Sequence, residues 1–350
     1  LNAQINVLSF DALIKKGANV HETDKGGNTA LHVACGQNKI GIARILIKHG
    51  AKINAKNNNG ETPIFRFYRG VKNPSSEAAD NLQRILSGKR AVNNSYDKRD
   101  LFTKIKEYIE SLNAIIGFGA DLNVVNNSGY TLLQLAIQQN RTPFVKLLLN
   151  RKGVDFNNKG GINKTPLELA YSRSNTKVVK LLLEKGVDPN IVDKSGSNLL
   201  LKMIWNRDTE LALEMLKYKV DVNYTNPNGS NAFFYAVMQG NLRILEKLSE
   251  LNVDFKQLNS ADENALHVAA RTDSVKVAEL LLSKGIDINE KDKYGNTPLY
   301  HAVNKSRTEM VKFLLKSGAD KTVKNNQEKA PVDVVDRKEI RKMLSKDIFW

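Results

Sequence analysis

The chain has 350 residues, 41% of them hydrophobic, and a formal net charge of +16. That is enough apolar material for a folded chain, and the surplus of lysine and arginine favours acidic partners or surfaces. No apolar run reaches the length that spans a bilayer, and the opening LNAQINVLSF lacks the order of a signal peptide. The one cysteine, Cys35, excludes an internal disulfide and fits a reducing compartment, so the expected location is cytoplasmic.

In chain order, Leu1 to Thr23 reads as the back half of a two-helix module, with Val7, Leu8, Leu13 and Ile14 as its apolar stripe and Gly17 as its cap. The first complete module is 24–56, with Thr29-Ala30-Leu31-His32 opening a short helix and Gly50 closing a second one. The second, 57–125, starts with Thr62-Pro63, but its second helix is delayed to about 102–117 by an insertion at 71–106. Within the insertion, Asn73-Pro74 starts a helix near 74–87, with Ala78, Ala79, Leu82, Ile85 and Leu86 on one face. Modules then follow at 126–159, 160–192, 193–225, 226–258, 259–291 and 292–324, and a shortened unit at 325–350 keeps Ala330-Pro331 as its helix start.

Two position classes fix this register. The closing residue is glycine at 50, 119, 153, 186, 285 and 318, with Asn252 as the next-best left-handed residue and Lys219 breaking the rule. A small residue in the first helix (Ala34, Ala136, Ala170, Ala236, Ala269, Ala302) marks where neighbouring helices approach, with Phe67 and Met203 as the departures. Bulk at those two joints is expected to widen the helix spacing. Neither helix of a module is long enough to stand alone, so each buries its faces against its neighbours.

The segment DKYGNTPLYHAVNKSRTEMVKFLLKSGADKTVK (292–324), with T-P-L-x-x-A, two short helices and a closing G-A-D at a 33-residue period, resembles the ankyrin repeat. The resemblance covers nearly the whole chain. It implies an all-α solenoid of helix-turn-helix units over residues 1–350, with β-hairpin finger loops, one helical insertion and a C-terminal cap at 325–350. It also implies that the histidine at the fourth position of T-x-L-H, here His32 and His267, makes hydrogen bonds between repeats.

No motif for catalysis, cofactor or metal emerges: there is no phosphate-cradling glycine loop, no H-E-x-x-H and no C-x-x-C. Cys35 and His32 lie three apart on one helix, but both occupy packing positions of the repeat, and a buried free cysteine behaves as a small hydrophobe. His21 and His49 read as surface residues beside turns. The insertion's Lys89, Arg90, Lys98 and Arg99 could hold an anion, nucleic acid or lipid headgroups included. Interspersed Glu77, Asp80, Asp97 and Asp100, and the lack of an aromatic platform, favour a solvated helical lobe over nucleic-acid binding.

In the family, partners bind on the concave face, through the second, third and fifth positions of each repeat and the thirteenth and fourteenth. Carried onto this chain, those positions single out Trp205, Met238, Arg271 and Arg173, with Tyr130 and Tyr294 at fingertips. These are residue types enriched at binding hot spots. The alternative is that Trp205 turns inward to fill space near Met203. The leading expectation is a monomeric, non-catalytic scaffold that binds a protein partner with an acidic surface. The asparagine- and lysine-rich composition with an irregular insertion also resembles secreted effectors of intracellular bacteria, which implies the host cytoplasm. Two other readings stand beside it: a targeting module for a catalytic or membrane-active domain outside these residues, since Leu1 opens mid-repeat, and an electrostatic binder acting through the basic insertion.

Overall fold

The computed structural model describes residues 2–70 and 98–345. They divide into two compact units, one ending at Val187 and the other starting at Asp188. In the first unit the helices are α1 (Asn2–Lys15), α2 (Ala30–Gly36), α3 (Ile40–Lys48), α4 (Pro63–Gly70), α5 (Lys98–Gly117), α6 (Leu132–Gln138), α7 (Thr142–Leu149), α8 (Pro166–Ser172) and α9 (Thr176–Glu184). The second unit holds α10 (Leu199–Trp205), α11 (Thr209–Met215), α12 (Ala232–Gln239), α13 (Leu242–Glu250), α14 (Ala265–Thr272), α15 (Val275–Ser283), α16 (Pro298–Asn304), α17 (Thr308–Lys316) and α18 (Lys338–Ser345).

The repeat register is visible in the helix starts. Thr131, Thr165, Asn198, Asn231, Asn264 and Thr297 each accept a backbone N–H three residues on, which caps the inner helix of the repeat. Seven- and eight-residue helices are unstable alone, so packing decides whether they form. In the second unit each inner helix lies against the inner helix of the next repeat and against its own outer helix; in the first, α2 packs on α4 and α6 on α8, and α2, α6 and α8 each pack on the outer helix of their own repeat. The interfaces are dry: Leu31, Ile64, Leu133, Leu200, Phe233, Leu266 and Leu299 are all essentially inaccessible. Burying one such side chain contributes roughly 1.5–3 kcal/mol, more than any helix cap supplies.

The fingers are tight turns closed by one or two backbone hydrogen bonds, not paired strands. Among the described residues the β pairing consists of isolated bridges, Thr23 with Thr29 and Val192 with Asn198. The expected β-hairpins are therefore reduced to their tips, because the position-one side chain does the work of a ladder. Asn57 Oδ1 accepts the amides of Asn59 and Glu61, both at 3.0 Å, and Asp193 Oδ1 accepts those of Ser195 and Ser197 at 2.8 and 3.0 Å. A left-handed residue completes the turn, and at Gly60 (φ +68°) an added Cβ would strike the Asn127 amide nitrogen.

At the other edge of the repeat an asparagine links one repeat to the next. Asn190 Nδ2 donates to the Lys219 carbonyl at 2.9 Å, and its Oδ1 accepts the Asp221 amide at 2.8 Å. Asn54 makes both contacts with Gly119 and Asp121, and Asn123 makes them with Gly153 and Asp155.

Four expectations are corrected in whole or in part. Phe67 does not hold α4 away from α2, since the two approach so closely that a Cβ on Gly70 would strike the Gly36 carbonyl oxygen, but on the other side α4 does not pack closely on α6, the inner helix of the following repeat, as the expectation had it. The bulk is directed instead onto α5, where the Phe67 and Tyr108 rings stack at 4.8 Å. Leu13 is exposed, because α1 packs against α3 and no earlier helix covers its other side among the described residues. His49 is half-buried and pairs with Asp11 at 2.9 Å, and the Ala330-Pro331 start opens one 3-10 turn (Pro331–Val334) instead of an α-helix. The expected helix at 74–87 lies outside the described residues.

Candidate interaction surface

The inner helices and fingers carry two kinds of polar device, both buried and both spent on holding repeats together. His32 accepts the Thr29 amide at Nδ1 (3.1 Å), so Nε2 carries the proton and donates to the Glu61 carbonyl of the next repeat at 3.0 Å. His267 repeats this, accepting from Asn264 N at 3.2 Å and donating to the Asn296 carbonyl at 3.1 Å. Burial, then repulsion from His301, pushes the His267 imidazole down to about 4, and burial lowers His32 as well. The hydrogen bonds that the resemblance implied for these two histidines are present.

Cys35 is buried beside His32, and desolvation pushes its thiol up to about 12. A thiol that stays protonated, next to an imidazole whose nitrogens are both engaged, is no nucleophilic pair.

The second device is a glutamate–arginine pair eight residues apart, running from the finger to the end of the inner helix. Arg69 Nε donates to Glu61 Oε1 at 2.9 Å. Arg271 grips Glu263 with both terminal nitrogens, Nη2 at 3.0 Å from Oε2, while Asn259 Nδ2 adds a 2.7 Å bond to the same oxygen. Against the upward push of burial, Arg271 and Asn259 hold the Glu263 carboxyl below its usual range. In the next finger His301 Nε2 lies 2.9 Å from Asp292 Oδ2 and 3.9 Å from Glu263 Oε1. Glu263, Asp292 and His301 thus offer three ligand atoms within 4.8 Å of one another. The Arg271 cation already neutralises one carboxylate, and Asp292 also accepts the amides of Tyr294 and Asn296. Each of the three side chains is thus already hydrogen-bonded within the fold.

The residues singled out from the sequence are distributed as follows. Trp205 is 56% exposed and Met238 37% exposed, at the same place in two successive repeats of the second unit. The inward alternative for Trp205 does not occur. One side of its ring leans on Tyr235 (centroids 5.3 Å apart, planes 57° apart), and its carbonyl accepts Gln239 Nε2 at 2.9 Å. Arg271, in the same unit, is half-buried by its pair with Glu263. Tyr294 is 58% exposed at a fingertip, with Lys293 Nζ 5.1 Å from its ring centre. In the first unit Arg173 is exposed at the end of α8, and Tyr130 is half-buried in its finger. Lys98 and Arg99 begin α5, whereas Lys89 and Arg90 fall outside the described residues.

Sequence reasoning missed the tenth position of the repeat. There Tyr235 supports Trp205 and receives Asn226 Nδ2 at 2.9 Å, Lys202 pairs with Asp193 at 2.7 Å, and His301 joins the acidic network. The signal was available as opposite charges nine apart, finger position one facing helix position ten.

No helix among the described residues is long and apolar enough to cross a membrane. A family profile described as ankyrin repeats (3 copies) matches residues 103–193, 200–292 and 262–325, and one described as ankyrin repeats (many copies) matches 13–64. Similar proteins include the nuclear factor NF-kappa-B p105 subunit of Gallus gallus, 28% identical over 183 residues, covering 51% of this chain and 15% of that protein. The ankyrin repeat protein OPG189 of monkeypox virus is 29% identical over 171 residues, covering 49% of this chain and 29% of its own length. Protein phosphatase 1 regulatory subunit 27 of Homo sapiens is 41% identical over 58 residues, which cover 17% of this chain and 38% of that protein. The chain thus spans well under half the length of these relatives. Among solved structures, the ankyrin repeat domain of Bcl-3 aligns with a TM-score of 0.55 at 25% identity, over 62% of this chain and 99% of that one. The periodic caps, the finger turns and the profile matches agree: this chain belongs to the ankyrin-repeat family.

Proposed function

We propose that this chain is a non-catalytic protein-interaction scaffold, monomeric and cytoplasmic, that binds a partner through the finger and inner-helix face. Family membership supports the scaffold reading, as do relatives named as a phosphatase regulatory subunit and as the NF-kappa-B p105 subunit. The observation that carries the choice of face is the exposure of Trp205 and Met238 at equivalent places in successive repeats, where large apolar side chains cost solvation unless covered. The carboxylates Asp193, Glu263 and Asp292 around it are already paired within the chain, so little of the face has to be ordered before use. A host-directed effector is the setting that the composition supports.

The test is affinity capture from host-cell lysate with the wild type and with Trp205→Ala/Met238→Ala, both checked for unchanged helical content. Partners retained by the wild type should be lost by the variant. An identical set of captured proteins would remove this face from consideration.

A further inference from the structure

We propose that the Trp205–Met238 face of the second unit takes an acidic segment of a partner protein, seating one bulky apolar residue of that segment against the two exposed side chains. The inference rests on the scaffold reading and adds the chemistry of the occupant.

The charge balance of this face carries it. The carboxylates close to the patch are engaged within the chain: Asp193 with Lys202 at 2.7 Å, Glu263 with Arg271, and Asp292 with His301 at 2.9 Å. Asp208 also has an internal interaction, and Asp273 Oδ1 accepts the Met310 amide at 3.1 Å. Two cations flanking α10 are not so engaged. Lys194 at the fingertip before α10 and Arg207 in the loop after it are both exposed, and neither has a carboxylate within ion-pair distance among the described residues. Asp262, held left-handed at φ 54° in the neighbouring finger, is the one exposed carboxylate on these fingers that lacks such a pair. The surplus is positive, in keeping with the chain's net charge of +16.

Geometry sets the order of contacts. Trp205 is the last residue of α10, two before Arg207, and Lys194 lies beyond the other end of the helix. Seven helical residues rise about 10 Å and both cations lie beyond the helix ends, so the occupant is an extended segment of at least four residues. Its carboxylates would meet Lys194 and Arg207, and its apolar residue would lie on the Trp205 ring face that Tyr235 leaves open, beside Met238. Desolvated apolar contact supplies affinity there, while the two flanking cations select for acidic sequence and speed encounter. The face suits nucleic acid poorly. Two isolated cations do not track a phosphate backbone, and one ring backed by a tyrosine offers no run of stacking platforms.

The experiment is selection of a random twelve-residue peptide display library on the full chain, followed by affinity measurement on synthetic copies of the enriched peptides. Enriched peptides should share two or more acidic residues around an aromatic or large aliphatic one. Trp205→Ala should weaken them at least tenfold. Lys194→Gln/Arg207→Gln should weaken them roughly threefold to tenfold, the scale of two partly exposed ion pairs, and raised salt should act in the same direction. Neutral or basic peptides that still require Trp205 would overturn the acidic occupant and leave the docking face standing. Peptides indifferent to Trp205→Ala, or no enrichment at all, would overturn both. A labelled twelve-residue oligothymidine serves as the competing class, and its binding through Trp205 would also sink the inference.

Discussion

The fingers headed by Asn57 and Asn259 are built from the same parts, asparagine, glutamate four residues on and arginine eight beyond that, yet they settle differently. At the second, Asn259 and Arg271 satisfy both oxygens of Glu263, and the next repeat adds Asp292 and His301 to the network. At the first, Asn57 Nδ2 turns back to Asn28 Oδ1 at 2.8 Å, Arg69 serves one oxygen only, and Glu61 Oε2 is buried without a partner. The local sequence makes the pair, but the following repeat decides whether it is completed: after Glu263 that repeat supplies His301, whereas after Glu61 it supplies Leu135 at the equivalent place. Each inner helix compensates in its own way. The first is fastened by aromatic packing at Phe67, the second by its charges around a small Ala269.

The largest expected effect tests that division. Phe67→Ala should cost about 3–5 kcal/mol, because the cavity lies against Tyr108 and the close Gly36–Gly70 approach prevents α2 and α4 from collapsing further. A urea midpoint corresponding to less than about 1 kcal/mol would mean that the aromatic joint carries little.

Next comes acid. His267 is neutral in the folded chain and titrates near 4, whereas an unfolded histidine titrates near 6.5. Its folded value is depressed, so its contribution is complete above 6.5 and is lost as the pH falls from 6.5 to about 4. The loss is on the order of 3 kcal/mol. His267→Gln should therefore show a shallower fall in urea midpoint over that interval than the wild type. His32→Gln should change the slope in the same direction, since burial lowers that imidazole too. Parallel pH profiles for wild type and His267→Gln would refute the assignment.

The smallest effect is the sharpest discriminator between the two fingers. Glu263→Gln breaks a saturated network and should cost about 1–3 kcal/mol, whereas Glu61→Gln removes a half-satisfied buried charge and should cost under about 1 kcal/mol. Equal costs, read from paired denaturation curves, would show that the orphaned oxygen is energetically irrelevant.

Much of the architecture was legible in the chain. The closing residues take the left-handed conformation at Gly50, Gly119, Gly153, Gly186, Gly285, Gly318 and Asn252, because one position of a repeating loop has one backbone solution. What was not legible depends on pairs far apart in sequence. Phe67 looked like an obstacle because nothing local reveals that Tyr108, 41 residues later, would receive it, or that glycines at 36 and 70 would let the backbones meet. The exposure of Trp205 was half legible: its position pointed outward, but the ring's support by Tyr235 required knowing which repeat faces are neighbours.

The amides of Asn54, Asn123 and Asn190 each reach forward, giving a proton to one repeat edge and taking one from the residue two beyond. Such a link is indifferent to how many blocks precede it. A lineage can therefore duplicate or delete whole blocks without stranding any of these groups, whereas a cut through the middle of one leaves a donor and an acceptor facing water or apolar surface. Variation in length among descendants of this gene should proceed in complete modules, and irregular insertions should survive only where, as between α4 and α5, they leave those amides joined.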